Sequence, residues 1–276
     1  MTLLELMLDG RRYRARPGAA VSIAIAIDFA DPKLSAFGVP PPSGAAISGL
    51  GFVGATRRGG SCNVAELRLV PHCHGTHTEC LGHLVDEPLS VPDVLREPLL
   101  PATLVSILPE PAANHPEADP AIVAPGDLLV SAHALGAALG AGPGSALHRA
   151  LVLRTLPNGP AKLAARYDGA LPPAYLSRAA AQMLVTLGCE HVVVDLPSLD
   201  RMVDGGRLAA HRAFFGLPDG SRRAADATRP GATITELVFV PDEVADGPYL
   251  LDLQLAPFAS DAAPSRPLLI ALEEVA

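Results

Sequence analysis

The chain has 276 residues, room for one large domain or two small ones, and 49% of them are hydrophobic, enough to fill a core. With no Trp and only 4% aromatic residues, that core must rest on Leu, Val, Ile and Ala. A net charge of −8 without a Lys/Arg stripe argues against nucleic-acid binding, and no run of about 18 apolar residues is present to span a membrane.

The N-terminus carries Glu5 and Asp9 early and then turns basic, without the basic start, apolar run and small-residue cleavage site of a secretory signal. The cysteines, at 62, 73, 80 and 189, are too sparse for a disulfide framework, so a reducing cytoplasm is expected. Cys80 and Cys189 read as buried apolar fillers.

Frequent Pro and Gly divide the chain into short strands and loops. Residues 21–27 alternate Val, Ile and small residues and predict a strand, followed by a Pro/Gly-rich loop over 31–60. Residues 65–70 alternate again and predict a strand leading into a cluster of histidines. Residues 102–108 and 150–155 predict strands, separated by a Pro/Ala-rich loop at 110–125. Residues 173–187 have apolar residues at helical spacing and stop at Gly188. Residues 191–196 predict a β-rich apolar strand, 208–215 a short helix holding His211, 234–240 a strand containing Glu236, and 249–256 and 267–272 the last strands. Strand-helix-strand order and the absence of repeats make a strand-rich α/β fold, a single domain over 1–276, the simplest reading.

The chemistry concentrates in Pro71-His72-Cys73-His74-Gly75-Thr76-His77-Thr78-Glu79-Cys80-Leu81-Gly82-His83, which holds four of the nine histidines. Imidazole, thiolate and carboxylate are metal ligands, and a small-residue turn lets side chains from both arms of a bend converge. If the backbone is extended on either side of the Gly-Thr bend, Cys73, His77 and Glu79 form a three-ligand patch with an open position for water, and His83 stands beside it as general acid or base. A surface or hydrogen-bonded role for these histidines is the plain alternative, and the spacing is neither a zinc finger nor HExxH. The chain lacks a G-x-S-x-G elbow, a Walker A loop and a G-x-G-x-x-G opening a helix.

Aligned on Gly75-Thr76-His77, the segment resembles the H-x-G-T-H-x-D-x-P-x-H signature of the cyclase family, which includes kynurenine formamidases and isatin hydrolase. Asn63 to Leu67, Val193-Val194-Asp195-Leu196-Pro197-Ser198-Leu199-Asp200, Ala210-His211-Arg212, Ile234-Thr235-Glu236-Leu237 and Pro264 to Leu272 are similar to further stretches of that family. The resemblance implies a swivelling β/β/α fold and a metal-dependent hydrolase of amides or lactones, arylformamidase-like, acting on a small-molecule substrate as a homo-oligomer.

It also implies a first metal site at Cys73, His77 and Glu79, a second from Glu79 with His211 and Glu236, and a proton shuttle at His83. Cys73, Glu79 and Leu81 stand where the family has His, Asp and Pro. His72 and His74 flank Cys73 as alternative ligands. A thiolate at 73 favours zinc over manganese as the divalent metal. The altered signature leaves a second reading, a metal-poor relative that binds a small molecule or serves in an assembly. Asp195 and Asp200 either orient ligands or cap the turn between them.

Overall fold

The most apolar stretches of the chain line up side by side in one large sheet. The computed structural model describes residues 3–140, 145–168 and 172–275. Among them ten strands join this sheet: β1 (Leu4–Leu8), β2 (Arg11–Ala15), β3 (Val21–Ser22), β4 (His77–Cys80), β5 (Leu99–Ile107), β6 (Ala150–Thr155), β7 (His191–Val194), β8 (Thr233–Glu236), β9 (Gly247–Leu255) and β10 (Ala262–Val275). The order is β1-β2-β10-β9-β5-β6-β7-β8-β4, with β3 beside β10. The steps β5 to β6, β6 to β7 and β7 to β8 are parallel, and the other pairings are antiparallel. β4 also pairs with the start of β10, Glu79 opposite Ala262, so the sheet closes on itself.

β6 and β7 are buried at every residue, which is why they read as continuous apolar runs and not as alternations. Their side chains alternate between two faces. Leu151, Leu153, Val192 and Val194 pack with α3 (Arg178–Thr186) and α4 (Ala209–Phe215), whose Leu184, Phe214 and Phe215 are fully buried. Ala150, Val152 and Val193 pack on the other face with Leu251, Leu253 and Leu269. Among the described residues three further helices are α1 (Pro71–His74) and Val91–Val94, each a single turn, and α2 (Ala132–Leu139). α3 starts where Ser177 Oγ accepts the Ala180 N–H at 2.9 Å, later than the 173 its periodicity suggests, because Tyr175–Leu176 form a short strand first. The mixed, strand-rich α/β class matches the sequence reading. Among the described residues no helix is long and apolar enough to cross a membrane.

Several expected strands differ in their bounds, and three of these differences bear on the site. The strand at 21 ends at Ser22, because Ile25 is tied to Thr76 and not to a ladder partner. Ala65–Arg68 does form a strand, but it pairs with Ser43–Ala46 inside the expected loop and is exposed at every residue. The strand at 234 begins at Thr233 and stops at Glu236, because Leu237 takes a left-handed φ of 57°. The β1–β2 hairpin and α2 carried no signal that the sequence reading used.

Candidate metal centre

The segment carrying the histidines is built by three local devices. Pro71, with φ suited to a first helical position, opens α1. Gly75 is extended at φ 175°, and a Cβ there would lie 2.7 Å from Ile27 Cγ1 and 2.9 Å from Ile25 O, so only glycine lets the chain pass. Thr76 then ties three segments together. Its Oγ1 accepts the Ile25 N–H at 2.7 Å and donates to Leu237 O at 2.5 Å, and its carbonyl accepts the Ser265 N–H at 3.1 Å.

β4 follows, with His77 and Glu79 two residues apart on one face. On β8, Glu236 is the cross-strand partner of His77. α4 brings in His211.

These groups meet. His72 Nδ1 lies 3.0 Å from Glu79 Oε2, and His211 Nε2 lies 2.9 Å from Glu79 Oε1. Glu236 stands 3.5 Å from both His77 Nε2 and His211 Nε2, and accepts the Leu199 N–H at 2.9 Å. Among the described residues, ligand atoms within 4.8 Å of one another form three groups: His72 with His77 and Glu79; Glu79 with His83 and His211; and His72 with His83 and Asp261.

Cys73 enters none of these groups. The parity that placed its sulfur beside His77 assumes an extended backbone, whereas residues 71–74 form a helical turn in which neighbouring side chains diverge by roughly 100°. The turn presents His72 to Glu79 and leaves Cys73 on the pocket wall, where burial and the Glu236 carboxylate push its thiol up to about 11. His74 is turned away from the group. Its Nδ1 accepts the Val70 N–H at 3.0 Å and its Nε2 donates to Pro40 O at 3.0 Å, so both nitrogens serve the fold. His83 sits at the edge, its ring 4.4 Å from that of His72 and 5.8 Å from that of His211.

The electrostatics ask for positive charge. Burial works to raise the Glu79 carboxyl, but His83, His211 and His72 together hold it well below the usual range. Burial works to lower His72, yet hydrogen bonds with Asp261 and Glu79 lift it to about 10. His211 is likewise raised against its burial, by Glu79 and Asp200. Hydrogen bonds from His72 and His83 hold the Asp261 carboxyl far below its ordinary value.

The residues fit a divalent cation on one further observation. Among the described residues, buried His77 Nε2 and Glu79 Oε1 have no hydrogen-bond partner, the latter in spite of its closeness to His211. Orphaned buried donors and acceptors are costly, and a cation among these nitrogens and oxygens removes that cost.

One participant escaped the sequence reading. Asp261 lies 189 residues from His72, with nothing local to mark it. Asp200, expected either to orient a ligand or to cap the turn after Asp195, instead accepts the Ala210 and His211 N–H groups at the start of α4 and the His211 Nδ1–H at 2.6 Å. Asp195 instead accepts from Thr155 and binds Lys162 Nζ at 2.6 Å.

The group lines a pocket of about 330 Å³ whose walls include Phe37, Val70, Met202 and Leu208. A larger cavity of about 600 Å³ shares Arg201 with it, but there Arg178 and Arg207 are bound to Asp219 and Asp119. The smaller pocket is the one lined by the candidate ligands.

The Cyclase family model matches residues 19–201. The chain belongs to the cyclase family. No curated protein sequence matches this cyclase-family chain, but solved structures share its fold. Isatin hydrolase A from Ralstonia solanacearum is 17% identical over 91% of this chain and 91% of its own, with a TM-score of 0.58. A predicted metal-dependent hydrolase from Bacillus stearothermophilus is 15% identical over 91% of this chain and 97% of its own, also with a TM-score of 0.58. Isatin hydrolase A from Labrenzia aggregata, bound to benzyl benzoate, is 15% identical over 92% of this chain and 94% of its own, again at 0.58.

Proposed function

We propose that this cyclase-family chain is a metal-dependent hydrolase of an amide or lactone, with N-formyl and cyclic amides as the substrate class. The observation that carries the reading is the pair of orphaned atoms, His77 Nε2 and Glu79 Oε1, facing His72 and His211 beside a pocket. His72, His77 and Glu79 would hold the metal, with His211 and Glu236 on the far side of Glu79. The imidazole-rich set favours zinc over manganese, an argument that does not need Cys73. A divalent cation held there supplies Lewis acidity toward a carbonyl and lowers the pKa of water.

The chain's own residues do the rest. Phe37, Val70, Met202 and Leu208 seat the apolar part of the substrate and shed water from the reacting bond. Glu236 is fixed by the Leu199 N–H and holds its carboxylate toward His77 and His211. His83, more open to solvent than the other rings, delivers a proton to the leaving nitrogen or oxygen.

The test is a hydrolysis screen over N-formylanilines, cyclic imides and lactones, with and without chelator, together with metal analysis of the purified protein. Turnover that chelator removes and zinc restores, and metal lost in His77→Ala and Glu79→Ala, is the expected result. Substoichiometric metal that neither substitution changes sinks the reading. It would leave the metal-poor binding protein, in which protons alone bridge the histidines and carboxylates.

A further inference from the structure

We propose that Asp261 is the positioning residue that makes His72 a metal ligand, so that the ligand place occupied by Cys73 in the signature alignment has moved one residue along the chain. The inference rests on the metal-centre reading above and concerns which side chain completes it.

Three histidines aim one ring nitrogen at the Glu79 and Glu236 carboxylates, and in each the other nitrogen meets an acceptor. His77 Nδ1 lies 3.1 Å from Gly75 O, His211 Nδ1 lies 2.6 Å from Asp200 Oδ2, and His72 Nε2 lies 2.9 Å from Asp261 Oδ2. An acceptor at the outer nitrogen keeps the proton there and leaves the inner lone pair for a metal. Such partners fix both tautomer and ring orientation. His77 and His211 get this from their own neighbourhoods, the Gly75 carbonyl two residues back and the Asp200 that caps α4. His72 is on a one-turn helix with no local acceptor at its Nε2, and Asp261 supplies it from the other end of the chain.

Asp261 is itself well held. It immediately precedes β10, whose first residues pair with β4. Its carbonyl accepts the Cys80 N–H at 3.0 Å, and its Oδ1 accepts the Ser260 hydroxyl at 3.0 Å. That leaves Oδ2 for the rings. The same Oδ2 lies 3.5 Å from His83 Nδ1, so one carboxylate sets both His72 and the proton-carrying ring beside it.

The experiment compares the full-length parent with Asp261→Ala, Asp261→Asn and Cys73→Ser. Zinc stoichiometry is measured by elemental analysis, zinc affinity by chelator competition, and the ligand atoms by the absorption spectrum of the cobalt-substituted protein. The parent and Cys73→Ser should bind zinc equally, and both cobalt forms should lack a thiolate-to-cobalt charge-transfer band. Asp261→Ala should lose about 10- to 100-fold in zinc affinity. Asp261→Asn, whose carbonyl still accepts an N–H, should lose less. It also carries the test if the alanine variant does not fold.

A charge-transfer band in the parent that Cys73→Ser abolishes, with Asp261 variants binding like the parent, overturns the inference while the metal centre stands. A parent that takes up no metal overturns both.

Discussion

At the scale of single residues, the notable arrangement is that two histidines each stand between two carboxylates: His72 between Glu79 and Asp261, His211 between Glu79 and Asp200. Those carboxylates lift His72 to about 10 and His211 well above its ordinary value. A metal ligand must be neutral imidazole. Zinc loading at pH 8, below the raised value of His72, should therefore expel about one proton from that ring, measured by titration calorimetry in buffers of different ionisation enthalpy. Binding with no proton release would place the metal elsewhere. His83 is the proposed proton donor, and its test separates it from the proposed ligands. His83→Gln should lower kcat by about 10²- to 10⁴-fold with zinc content and KM little changed, and a loss of metal instead would make it a ligand. The sequence made His77, Glu79 and His83 legible because they lie within one short segment. It pointed to Cys73 over His72 because one proline-initiated turn defeats strand parity, and it was silent on Asp261 because a partner 189 residues away leaves no local pattern.

At the scale of elements, the centre depends on how α1 is joined to β4. Thr76 is the fastening, since its side chain alone satisfies the buried Ile25 N–H and reaches the Leu237 carbonyl just past β8. Thr76→Val keeps the shape and removes both bonds, leaving buried groups unpaired at about 1–3 kcal/mol each. The urea midpoint should fall accordingly, and zinc affinity with it, because Glu236 and His77 sit on either side of this tie; an unchanged midpoint would show that the bonds contribute nothing. The same element logic explains what was legible in the fold. β6 and β7 were found because strands buried on both faces are unbroken apolar runs. Residues 21–27 and 65–68 alternate equally well, but alternation reports extended backbone without naming a partner. One segment is tied to Thr76 and the other to an exposed strand of the supposed loop.

Over the whole molecule, the closed sheet separates the candidate centre from the opposite end of its parallel strands. Glu236 is the last residue of β8 and Asp200 follows β7, so the centre gathers at the carboxyl ends, where open crevices form in parallel sheets. His191 is the first residue of β7 and Thr233 the first of β8, and they meet at the other end, Nδ1 to Oγ1 at 2.8 Å. Burial holds His191 down to about 4, against 6.5 for a free imidazole, with Glu190 opposing and Arg149 assisting. The sign follows from proton counting: between pH 6.5 and 4 the unfolded chain binds a proton at this ring that the folded chain refuses, so folding stability is full above pH 6.5 and is lost as pH falls toward 4. A shift of this size corresponds to about 3 kcal/mol at most. Glu79 and Asp200 also titrate in acid, so the parent curve alone does not isolate His191. Subtracting the curve of His191→Gln does, because glutamine keeps an amide to meet Thr233 and has no proton to gain. The stability gap between the two proteins, from urea unfolding at fixed temperature, should close or reverse in the variant's favour between pH 7 and pH 4. Parallel curves would mean that His191 accepts its proton in the folded state as readily as in water, and that this end of the sheet is open to solvent.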